Sequence, residues 1–283
     1  MKVTIFTRRT FRINHCILIA LLALFFIFEV SIWIASDGFP AMADQIETYT
    51  IYATGKNFVK YGIVKLRFID DCATSSSEAA HPFYYTHMPN FPKYFTYLLQ
   101  KIGIKSIPAQ LFIMIFISGV GLFYMYLTVK EYVKSEQAAL FVLAVSVFNY
   151  AGVLIRCLNL LRGWTWLVVF GVLYYLKKYD SRKKSSYFWL GILYCFLMAY
   201  FDYGVWLFFI LVIIFLKFLG FYNRLTWKRL GFFLMLGSGI AFVLHLTFVV
   251  WAIGFETFIK DYYYTFCNRL TGSPSRMEMI DFY

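Results

Sequence analysis

Few residues in this chain are able to do chemistry, and many of them fall between positions 36 and 107. The stretch HPFYYTHMPN, His81 to Asn90, sets two histidines, two tyrosines and two prolines into ten residues. Paired histidines suggest a metal or a histidine base, but no spacing here supports either. Asp70 and Asp71 are adjacent, and neighbouring side chains of extended chain point opposite ways, which suits a solvated loop better than a shared ion. Asp44 and Glu47 stand three apart, the spacing of an N-terminal helix cap as much as of a presented carboxylate. Lys93, Arg156, Arg162 and Arg269 are basic residues placed to snorkel to an interface or to meet an anion.

Two further groups sit inside apolar stretches. An ionisable side chain in hydrocarbon costs roughly 2.5 to 3.5 kcal/mol at the centre and less near the edge, so Glu29 is expected to face protein or a wet cavity. His245 reads as a core histidine. The five cysteines show no CxxC. Cys16 and Cys195 lie in apolar stretches, while Cys72 and Cys267 fall outside them and could pair, a matter of proximity that spacing does not decide.

The elements that must position these groups are mostly apolar. Of 283 residues 61% are hydrophobic and 15% charged, against about a quarter charged in soluble domains. A bilayer core of about 30 Å takes about 20 apolar residues per helix. Seven candidate spans follow: 16–35, 108–129, 138–155, 163–176, 187–201, 204–219 and 230–252. The fourth to sixth are short, because Arg156, Arg162 and Asp202 interrupt them. The first has no small-residue cleavage site before Asp37 and reads as an uncleaved anchor.

Charge gives the orientation, since cytoplasmic loops retain Lys and Arg. With the N-terminus inside, the inner side holds fifteen basic residues and three acids, Glu131, Glu136 and Asp180, while the outer side holds twelve and eleven. The net charge of +12 is then a cytoplasmic-face property whose ordinary partner is anionic lipid, not nucleic acid. The absence of any N-x-S/T sequon favours a bacterial inner membrane.

Residues 1–252 form the expected transmembrane module with a long loop at 36–107, and 253–283 an outer C-terminal segment. Within the loop a helix is expected from about Asp44 to Tyr61, stopped by Gly62, and another from Pro92 to the stop at Gly103. In the second, Tyr94, Phe95, Leu98, Leu99 and Ile102 make an apolar stripe at 3.6 spacing, as in a helix lying in the membrane interface. Pro82 and Pro89 bias His81 and Met88 toward extended chain, so the motif between the helices reads as an ordered turn.

A long first outer loop with two interfacial helices, an acid near the start of the first, a YG at its end and YYTHMPN before the second resembles the GT-C fold of polyprenyl-phosphate-sugar-dependent glycosyltransferases. The nearest branch is that of the protein mannosyltransferases and lipid A aminoarabinose transferases. The resemblance implies an all-α membrane module and transfer of a sugar from a polyprenyl phosphate to an outer acceptor. The catalytic carboxylate implied is Glu47, about fifteen residues before Gly62, with Asp44 and Asp37 as fallbacks and helix capping as the alternative role. The leaving phosphate would be met by cations, from Arg156, Arg162, Lys93 and Arg269, with a hydrogen bond from His87. Tyr85, Thr86, His87 and Pro89 carry the motif, and Asn90 stands where a second proline is frequent. No cofactor is required, although some members use a divalent metal, for which Asp70 and Asp71 with His81 or His87 are the candidates. Full-length relatives continue beyond such a module, so the chain reads as a truncated or minimal form. A non-catalytic subunit or lipid-binding scaffold of the same fold is the competing class; a transporter or channel fits less well, since matched broken helices are lacking.

Overall fold

The computed structural model describes residues 2–38, 45–71, 84–85, 91–149, 160, 162–218 and 224–271; for 2–12, 45–47, 70–71, 84–85, 162, 216, 224–226 and 264–271 it describes the backbone alone. Ten α-helices are present among them: α1 (Lys2–Ala35), α2 (Gln45–Tyr61), α3 (Phe91–Lys101), α4 (Ile107–Val133), α5 (Glu136–Phe148), α6 (Thr165–Arg182), α7 (Ser185–Phe201), α8 (Tyr203–Phe218), α9 (Arg224–Ile253) and α10 (Phe255–Thr271). A 3-10 turn, Arg162–Trp164, precedes α6, and Asp70–Asp71 (β1) pairs antiparallel with Tyr84–Tyr85 (β2).

Three helices are long and apolar enough to cross a membrane, over Ile13–Ala35, Ile107–Val133 and Trp227–Ile253. This is a helical membrane protein. The other expected stretches are helical too but shorter, with 13 residues in α5, 18 in α6, 17 in α7 and 16 in α8. Of the stretch 138–155, α5 covers the part up to Phe148, and 150–155 lie outside the described residues. The break at 202 is one residue long: Asp202 Oδ1 accepts from the Gly204 N–H at 2.6 Å, and this side-chain cap restarts the helix at once.

The helices pack in a row, with α1 and α5 on one side of α4, then α6, α7 and α9, and α8 against α7. Two buried clusters hold the row. Leu18, Leu21 and Phe25 of α1 pack with Ile115 and Leu122 of α4 and Leu140 and Leu143 of α5. Leu111 and Met114 pack with Val168 and Val172 of α6, Ile192 and Met198 of α7 and Leu230 and Phe233 of α9. In lipid the hydrophobic effect does not drive helices together, so close packing must. Gly237 of α9 shows how close: a Cβ there would lie 2.6 Å from both Cys195 Cβ and Ile192 O.

At one end of the row the three acids assigned to the basic side each join helices. Glu136 accepts from Lys130 Nζ at 2.7 Å, from the Tyr126 hydroxyl at 2.7 Å and from Asn14 Nδ2 at 3.0 Å, tying α5 to α4 and α1. Glu131 accepts from Lys178 of α6, and Asp180 from Arg229 of α9. Glu136 heads α5 two residues before its apolar stretch. The Lys130 ammonium, against a smaller opposing effect of burial, holds its carboxyl down at about 2. Glu29 of α1 is fully buried, and His245 of α9 is 4% exposed with its ring edge-on to Tyr200 and Tyr203, a core position for each.

Candidate functional site

The opposite end of the row is covered by the hairpin of α2 and α3. Both helices stop where a glycine takes a left-handed backbone, Gly62 at φ +91° and Gly103 at φ +98°. They touch at Gly55, where a Cβ would lie 2.5 Å from Thr96 Cγ2. Gln100 Nε2 donates to Tyr52 O at 3.1 Å, and the Tyr52 hydroxyl to Lys105 O at 2.7 Å. The rings of Phe58, Tyr94 and Tyr97 close the contact.

α3 is turned in a way that would be unusual in water. Its buried residues are Pro92, Lys93, Thr96, Leu99 and Gln100, while Leu98 and Ile102 of the apolar stripe are 54% and 72% exposed. Leu99 with Phe91 and Phe95 packs inward beside these polar residues, while Leu98 and Ile102 face out, as expected of a helix with apolar surroundings outside.

The turn after α2 latches the hairpin to the bundle. Arg67 and Phe68 are consecutive non-glycine residues in the left-handed region, at φ +53° and +61°, a strained state that must be held from outside. The Arg67 guanidinium donates to Trp251 O at 2.9 Å and Ala252 O at 2.8 Å, capping α9. The Phe68 ring stacks on Phe248 at 4.8 Å. Phe68 O accepts from the Tyr94 hydroxyl at 2.6 Å, and that hydroxyl lies 3.3 Å from that of Tyr200.

A second latch reaches the segment before α6. The Leu160 N–H donates to Thr48 Oγ1 at 3.4 Å, and both residues are buried. Trp164 receives the ring edges of Phe91 and Phe95 of α3, each at 4.9 Å. The Ser118 hydroxyl of α4 donates to Gly163 O at 3.2 Å. Leu160, Gly163 and Trp164 are thus held by α2, α4 and α3, with Lys93, 3% exposed, between the two α3 rings that meet Trp164.

These latches gather several of the expected residues. Glu47 precedes Thr48 on the first turn of α2, Arg162 follows Leu160 by two, and Lys93 lies between Phe91 and Phe95. The described backbone therefore brings one carboxylate position and two cation positions to one end of the bundle. Tyr85 is set by register opposite Asp70, and Tyr84 opposite Asp71, so the two tyrosines and the acid pair lie side by side in extended chain. Asp44, Thr86, His87, Pro89, Arg156, His81 and Cys72 lie outside the described residues; Arg269 and Cys267 lie on α10 by backbone alone. Among the described residues no three His, Cys, Asp or Glu side chains gather to hold a metal ion.

Thr48, Arg67, Thr96 and Trp164 carry the arrangement without having been singled out. Thr48 and Trp164 act through contacts distant in sequence, and neither Arg67 nor Phe68 is a residue type that marks a left-handed turn.

No family model, curated protein or solved structure matches the chain.

Proposed function

We propose that the protein is a membrane glycosyltransferase of the GT-C kind, with seven crossings, a cytoplasmic N-terminus and its 36–107 loop on the outer face of the cell membrane. The single observation that supports this most is the Thr48–Leu160 contact, between the residue after Glu47 and a residue two before Arg162. The burial of Lys93 on the inward side of α3 supports a cation role for it in this reading.

In this reading Glu47, or Asp44 a turn earlier, takes the proton from an acceptor hydroxyl or amine as the acceptor attacks the sugar carbon. The bond from that carbon to the phosphate oxygen breaks with inversion, and the electron pair leaves with the polyprenyl phosphate. Arg156, Arg162, Lys93 and Arg269 with His87 receive the phosphate charge, and fixed donors facing developing charge supply most of such catalysis. Tyr85 and its motif shape the turn that launches α3.

The test is transfer of radiolabelled sugar from polyprenyl phosphate donors in proteoliposomes. Carboxylate-dependent transfer supports the proposal. Activity that survives in both Glu47→Gln and Asp44→Asn sinks the base assignment, and the lack of any donor turnover or binding moves the protein to the class of non-catalytic subunits or lipid-binding scaffolds.

A further inference from the structure

α10 follows α9 after a single glycine, Gly254, whose φ of +81° ends one helix and lets the next leave in a new direction. Near its start Phe258 joins the cluster of Ile69, Val249 and Ala252. The apolar residues Phe255, Phe258, Ile259, Tyr262 and Tyr263 recur at helical spacing, and all but Phe258 are exposed. The other face carries charge, with Lys260 Nζ donating to Glu256 at 2.8 Å and Asp261 beyond. Side chains that would be costly to wet thus form one stripe of a helix 17 residues long.

What covers this stripe follows from where it begins. α9 is apolar enough to cross a membrane up to Ile253, and its outward residues Val243, Leu246 and Trp251 are exposed like those of α10. The stripe continues that apolar surface past Ile253, where the stretch apolar enough to cross ends. Phenylalanine and tyrosine are the side chains suited to that depth. α3 repeats the pattern nearby, joined to the same end of α9 through Tyr94, Phe68 and Arg67.

We propose that α10 lies flat in the membrane interface, with Phe255, Ile259 and Tyr262 immersed in lipid and Lys260 and Asp261 in water. The occupant of the stripe is the acyl and glycerol region of the bilayer. This inference rests on α9 crossing the membrane and is independent of any transfer activity.

The experiment uses the full chain in lipid nanodiscs, with native cysteines replaced and one spin label at a time at position 255, 259, 260, 261 or 262. Accessibility to oxygen, which concentrates in lipid, is compared with accessibility to a water-soluble nickel chelate. Labels at 255, 259 and 262 are expected to favour oxygen several-fold over labels at 260 and 261. Equal accessibility at all five positions overturns the proposal by placing the helix in water. Low accessibility to both agents with label-to-label broadening overturns it in favour of a second copy of the chain. Ile259→Glu with the label at 262 guards against a merely local effect: chelate access there should rise several-fold while a label at Val243 stays unchanged, and no rise counts against the proposal.

Discussion

Thr48 Oγ1 accepts a hydrogen bond from the backbone N–H of Leu160 at 3.4 Å, across 112 residues of chain. This contact binds the first turn of α2 to the segment that leads into α6. Thr48→Val keeps the shape and removes the acceptor, leaving a buried N–H unmet at a cost of about 1 to 3 kcal/mol. On the proposed reading, the expected outcome is a fall in thermal stability together with a larger fall in sugar transfer than in donor binding, because the Glu47 position loses its tie to the segment bearing Arg162. Transfer kinetics and donor titration on the same preparation check it.

Lys93 is the buried cation of the hairpin. Hydrogen bonds to charged groups contribute about 1.5 to 3 kcal/mol, so Lys93→Met should weaken donor binding by roughly 10- to 100-fold. Lys93→Arg should retain part of it. Equal affinity in wild type and Lys93→Met, with both folded by thermal scan, removes Lys93 from the donor site.

Glu136 gives a pH signature. Its carboxyl is held at about 2 against an ordinary value of 4.5, chiefly by Lys130. A depressed carboxyl contributes stability that is fully present above the unfolded value and fades as pH falls from about 4.5 toward 2. Allowing for partial exposure, about 2 kcal/mol is expected at neutral pH. Glu136→Gln should lower the melting temperature at pH 7 and flatten its decline below pH 4.5; a parallel decline in both proteins refutes the assignment.

The Gly55–Thr96 contact predicts non-additive behaviour. Gly55→Ala puts a methyl 2.5 Å from Thr96 Cγ2, and overpacking of this kind costs about 1 to 3 kcal/mol. Thr96→Ala removes the colliding group, so the double variant should recover part of the loss. A double-mutant cycle by thermal unfolding measures the coupling, and strict additivity would show that the helices do not meet there.

Much of the loop was readable because its punctuation is local. Helices expected to end at Gly62 and Gly103 do so, since each glycine supplies a backbone state that other residues resist. The stripe on α3 was also readable, but periodicity tells which residues share a face and not which face turns inward. Leu98 and Ile102 go out, while Leu99 of the same stripe goes in with Lys93, Thr96 and Gln100. Long-range partnerships left no local trace: Thr48 with Leu160, Arg67 with the end of α9, and the pairing of Asp70–Asp71 with Tyr84–Tyr85 each depend on the assembled bundle. The limits of the short helices were blurred by Arg162 and Asp202, because a charged residue between apolar runs marks a junction without giving its length. Asp202 turned out to be the whole junction.

The three acids of the basic end also set a timetable for biogenesis. When Glu136 leaves the ribosome, its partners Asn14, Tyr126 and Lys130 have already been made. Glu131 meets Lys134 of its own turn first and Lys178 later, and Asp180 meets Lys183 before Arg229, so the links between helices follow the local ones. Charge partners are met in the order of synthesis, and the chain can zip from its N-terminal end without first breaking a pair it has made.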